Sequence, residues 1–141
     1  MTPDDLRVAG FLDARRALSF LEELPAGQSW VGDLSASADP DQALLQAVRL
    51  REANPGLVDA LSRDEYARRR VCAILGGSQW LGDYVIADPA RAAAINEDPG
   101  DPRNVLYEAV GARTVGRGVW VAAWEATADD LRAAYRRVLL H

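Results

Sequence analysis

The sequence predicts an all-α protein, an irregular bundle of six to eight mostly short helices in a single helical domain over residues 1–141. Three observations predict it. Apolar residues recur at helical spacing along most of the chain. Proline and glycine stand between the periodic segments, next to residues that cap helices. Only "VWVAAWE", Val119 to Glu125, has any strand character.

Taken in order, Thr2 caps a first turn, with Pro3 at the first helical position and Asp4 and Asp5 beside the positive helix end. Gly10 interrupts. Between Asp13 and Leu24, a stripe of Ala14, Ala17, Leu18 and Leu21 keeps a 3.6-residue period, and Pro25 and Gly27 end it. Trp30 to Ala38 reads as a short helix. In "ADPDQALLQAVRLREANPG", Asp39 caps, Pro40 starts, and Ala43, Leu44, Ala47, Val48 and Arg51 follow helical spacing until Asn54-Pro55-Gly56. A short segment, Leu57 to Leu61, comes next. "SRDE", Ser62 to Glu65, has the spacing of a capping box. The helix it opens carries Ala67, Val71, Ile74 and Leu75 on one face, with Arg68, Arg69 and Arg70 mostly toward solvent.

Gly76-Gly77 ends that helix. Ser78 caps the next, whose apolar face is Trp80, Leu81, Tyr84 and Val85. Asp88-Pro89 closes it and starts a shorter helix through Ile95. Residues 96–126 are the least regular stretch. They hold the polar loop Asn96 to Asn104, a helical stretch over Val105 to Val110, the loop "RTVGRG", and "VWVAAWE", which fits a loop, a short helix or an edge strand. Thr127 then caps the most periodic segment, with Asp129 and Asp130 in its first turn and a stripe of Leu131, Ala134, Tyr135, Val138 and Leu139. It stops at His141 with no glycine, asparagine or proline. That ending suits a chain cut inside a longer one and a fraying terminal helix equally.

Composition narrows the function. The formal net charge is −5, which disfavours nucleic-acid binding, because phosphate affinity comes from clustered positive charge. All 16 basic residues are arginine, so no lysine exists to form a Schiff base or serve a phosphate loop. No apolar run approaches the roughly 20 residues of a membrane helix, and no signal peptide is evident. The single cysteine excludes an intrachain disulfide. A cytoplasmic setting is expected.

The stretch "GGSQWLGDYVIADP" raises the one catalytic question. Nucleotidyltransferases place a Gly-Ser pair before metal-binding aspartates that alternate along a strand. Asp83 and Asp88 instead lie on a helical reading, where five residues turn through about 500° and separate the two carboxylates. A capped helix, not a strand, precedes the glycines. A helix-turn-helix DNA reader would need base-reading side chains early in the second helix, which offers Gln79 but then Trp80, Leu81 and Asp83. A helix–Gly-Gly–helix corner is the reading favoured over both.

His141, the one histidine, lacks a metal or triad partner. Cys72 sits in an amphipathic helix as a buried, inert thiol. Glu22-Glu23 and Asp129-Asp130 read as solvated or helix-start charges, and Trp30, Trp80, Trp120 and Trp124 as core or interface anchors. Arg132, Arg136 and Arg137 form a solvated stripe or a docking surface for an adjoining domain. No catalytic, cofactor-binding or metal residue is assigned in this chain.

Three stretches together resemble a known family: "GFLDARRALSFLEEL" from Gly10, "ADPDQALLQAVRL" from Ala38, and "RRRVCAILGGSQWLGDYVIADP" from Arg68. They are similar to the N-terminal helical region of the glutamine synthetase adenylyltransferase/deadenylyltransferase. Ile74, Leu75, Gly76, Ser78, Leu81, Gly82, Asp83, Val85 and Pro89 match its corner segment, and "DDLRAAYRRVLLH" resembles the helix that leads into its first nucleotidyltransferase core. The resemblance implies a two-headed enzyme that attaches AMP from ATP to a tyrosine of glutamine synthetase and removes it by phosphorolysis. ATP and magnesium are implied for the full-length enzyme. This segment stops before either core, so no family catalytic residue is carried over. The implied partners are the missing nucleotidyltransferase core and glutamine synthetase. The rival expectation is a freestanding helical interaction module.

Overall fold

The computed structural model describes residues 1–95, 100–115, 119–123 and 125–140. The described residues form α1 (Pro3–Val8), α2 (Ala14–Glu23), α3 (Val31–Ser35), α4 (Pro40–Ala53), α5 (Pro55–Leu61), α6 (Glu65–Gly77), α7 (Gln79–Ile86), α8 (Pro89–Ala94), α9 (Pro102–Ala109) and α10 (Ala128–Leu139). A 3-10 turn, Gly27–Trp30, leads into α3, and β1 (Arg113–Thr114) pairs antiparallel with β2 (Trp120–Val121). The class is all-α as expected, with more helices than six to eight. The excess comes from short pieces whose signals overlap: Asn54 ends α4 and also caps α5, its side chain accepting from the Leu57 amide at 3.2 Å.

The chain divides into two compact units, Met1–Ile95 and Asn96–His141. The division falls at the start of the stretch that reads as least regular.

In the first unit α4 lies at the centre, packed against α2, α3, α5, α6 and α7. It earns that place by its composition. Ala43, Leu44, Ala47, Val48 and Leu50 are all buried, so more than one face of the helix is covered. Trp30, Leu34, Leu75 and Val85 fill the space around it, and Trp30 satisfies its indole N–H on the Pro25 carbonyl at 3.0 Å. Most starts are where the sequence puts them. Thr2 and Asp5 form a reciprocal capping box, and Asp13 and Asp39 accept from the Arg16 and Gln42 amides.

Two local expectations fail in this unit. Ser62 does not cap α6. Its hydroxyl donates to the Asp59 carbonyl at the end of α5, and Asp64 caps instead, accepting from the Ala67 amide at 3.0 Å. Two overlapping cap signals stood in "SRDE", and the aspartate, nearer the apolar run, prevails. Arg68 is not on the solvent side either; it is 6% exposed.

In the second unit α9 packs on α10. The β pairing sets Arg113 opposite Val121 and Thr114 opposite Trp120. Trp120 stacks on Tyr107 of α9 with ring centroids 4.4 Å apart. The strand option for "VWVAAWE" is thus realised at Trp120–Val121. Thr127 and Asp130 cap α10 reciprocally, as expected from "TADD". Trp124, His141 and part of each of the two loops, 96–99 and 116–118, lie outside the described residues.

Candidate functional site: the corner between α6 and α7

The corner is two α-helices meeting at Ser78, with helix on both sides of the glycines. Neither Gly76 nor Gly77 adopts a left-handed backbone. Gly76 is needed for close approach. A Cβ there would lie 2.5 Å from Ser37 Oγ and 2.9 Å from the Asp39 carbonyl oxygen. The glycine therefore lets α6 press against the turn that launches α4. Ser78, in extended backbone, accepts from the Leu81 amide at 3.3 Å and so starts α7.

Gly82, one turn further on, is buried against Gln46 of α4; a Cβ there would meet the amide carbon at 3.1 Å. Gln46 is itself buried, 2% exposed, and directs its amide nitrogen toward the Gln79 carbonyl and the Asp83 carboxylate, each at 3.5 Å. Gln42, a turn earlier on α4, donates to the Leu75 carbonyl at 3.0 Å. Asp83 closes the set by an ion pair with Arg49 of α4 at 2.5 Å. Ser78 and Asp83 are thus joined to the backbone of the next helix and to α4 respectively.

Asp83 and Asp88 do not act together. Asp83 faces Arg49, whereas Asp88 accepts from the Ala90 amide at 3.0 Å and pairs with Arg91 at 3.4 Å. Arg91 also donates to the Tyr84 carbonyl and lies over the Tyr84 ring at 4.0 Å. Among the described residues no group of three His, Cys, Asp or Glu side chains could hold a metal ion.

A groove of about 430 Å³ runs between α2, α4 and the start of α7. Its floor includes Ala17, Phe20 and Leu44, and Arg16 lies over the Phe20 ring at 5.0 Å. The groove carboxylates serve the backbone: Asp13 and Asp39 cap helices, and Asp41 accepts from the Leu12 amide at 2.7 Å.

The other singled-out residues fall apart in space and in role. Cys72 is fully buried, and burial, reinforced by nearby Asp33 and opposed by Arg68, pushes its thiol up to about 12. That makes it inert, as the sequence suggested. Trp30 is a core anchor; Trp80 and Trp120 are about half exposed, at 50% and 47%. Trp80 stacks on Tyr84 at 5.7 Å, outside the core, which leaves the interface alternative for it.

The polar node missed by the sequence reading is Arg68. Its guanidinium pairs with Asp33 of α3 at 2.6 Å, both side chains nearly buried, and lies 5.9 Å from the Trp30 ring centroid. Its position was available in the spacing: Arg68, Val71, Cys72 and Leu75 follow i, i+3, i+4, i+7, which places the arginine on the buried stripe.

Fold and corner define a class: a helical module in which Gly76, Ser78, Gly82 and Asp83 serve the packing of a helix corner. The comparisons with known proteins agree with the family of the resemblance. The chain is 32% identical over 94% of its length to a protein of Leifsonia xyli subsp. xyli, and 35% identical over 85% and 93% of its length to proteins of Streptomyces avermitilis and Streptomyces coelicolor. All three are named bifunctional glutamine synthetase adenylyltransferase/adenylyl-removing enzyme. The chain spans 12–14% of the length of these curated relatives. No protein-family model matches it, and no solved structure does.

Proposed function

We propose that this chain is the non-catalytic N-terminal helical part of an enzyme that adenylylates and deadenylylates glutamine synthetase in nitrogen regulation. Its task is to support the adenylyl-removing nucleotidyltransferase core. One observation carries this reading. The residues that match the corner segment of such enzymes, Gly76, Ser78, Gly82 and Asp83, are occupied in holding α6 and α7 to each other and to α4. They have structural work. The similarity over 85–94% of the chain to bifunctional enzymes supports the assignment.

On this reading ATP and magnesium act in the core, outside this chain, and glutamine synthetase is the protein substrate. The setting is cytoplasmic, without membrane or nucleic-acid partners. The first test is an assay of the purified 141-residue chain for AMP transfer from ATP to glutamine synthetase and for phosphate-dependent release of AMP. Neither activity is expected, and either one would refute the non-catalytic role. The second test replaces the matching segment of the Streptomyces coelicolor relative with this chain. Adenylyl removal should survive the exchange and fail when the segment is deleted.

A freestanding interaction module is the competing reading, favoured by the half-exposed Trp80 and Trp120. Retained adenylyl removal in the exchanged enzyme would decide against it.

A further inference from the structure

We draw no further inference here: the strongest candidate, the groove between α2, α4 and the start of α7 with Leu12 and Leu45 exposed at its rim, carries none, because its aspartates cap helices or hold the Leu12 amide, Arg49 pairs with Asp83, and nothing in the structure shows what covers it.

Discussion

Met1–Ile95 and Asn96–His141 are both helical, yet they hold themselves together by different means. The first unit buries Leu6, Trp30, Leu34, Leu44, Leu50, Val71, Leu75 and Val85 around one central helix and adds a buried Arg68–Asp33 pair. In the second, among the described residues, only Ala134 and Leu140 are buried apolar side chains. Val115, Val119, Trp120, Val121, Leu131, Tyr135 and Leu139 are more than 40% exposed, and Val105, Leu106, Tyr107, Val110 and Val138 are half-buried. Local signals in the second unit are still strong, with a complete capping box on α10 and an aromatic stack between α9 and β2. Caps and stacking contribute about 1 kcal/mol each, which sets boundaries but does not replace a core. Helix-forming signals and core-forming signals are separable, and this chain distributes them unequally.

Substitutions should reproduce that inequality. The largest effect is expected at the buried ion pair. Asp33→Ala leaves the Arg68 guanidinium buried without its carboxylate and should destabilise the first unit by about 3–5 kcal/mol in chemical denaturation. Replacing both partners by apolar residues should recover most of that loss.

Gly76→Ala comes next. Its Cβ would collide with Ser37 and the Asp39 carbonyl, so a loss of about 1–3 kcal/mol is expected, the range for overpacking. Arg49→Ala should cost about 0–1 kcal/mol, since the Arg49–Asp83 pair is nearly half exposed on both sides. At the small end, Tyr135→Ser in the separate chain should change stability by less than about 0.5 kcal/mol, as expected of an exposed position.

Titration shows one feature common to both units and one confined to the first. The Thr127 backbone N–H and hydroxyl hold the Asp130 carboxyl below the ordinary carboxylate range, as Thr2 does for Asp5 in the first unit. A depressed folded pKa stabilises the helix start above the ordinary carboxylate pKa, and that contribution disappears as pH falls through the folded value. Circular dichroism on acidification should show α10 fraying in that window, and Asp130→Asn should remove the dependence. In the first unit the Cys72 thiol is raised to about 12, so its contribution is present below its ordinary value and is lost as pH rises toward 12. A thiol reagent at neutral pH should leave Cys72 unmodified until the first unit unfolds.

Much of this was legible in the sequence, and the failures share a cause. Asp39-Pro40, Ser78 and Thr127 mark starts that the structure keeps, because a cap is a local hydrogen bond read from a few residues. The corner was legible as a corner for the same reason. Its purpose was not. Gly76 is explained by Ser37 and Asp39, and Gly82 and Asp83 by Gln46 and Arg49, all from distant parts of the sequence. Arg68 went astray because composition outweighed register: an arginine stood on the buried stripe. The division at Asn96 showed only as irregularity, since the lack of a core belongs to packing and not to any one residue.

The contrast between the units is tested most directly by native-state amide exchange along the whole separate chain. Amides of α4 and α6 should be protected to the level of global unfolding, and those of α10 should exchange at least about a hundredfold faster, through local opening. One common level of protection from α4 to α10 would show a single cooperative body, and the account of a self-sufficient unit beside one with little core of its own would be wrong.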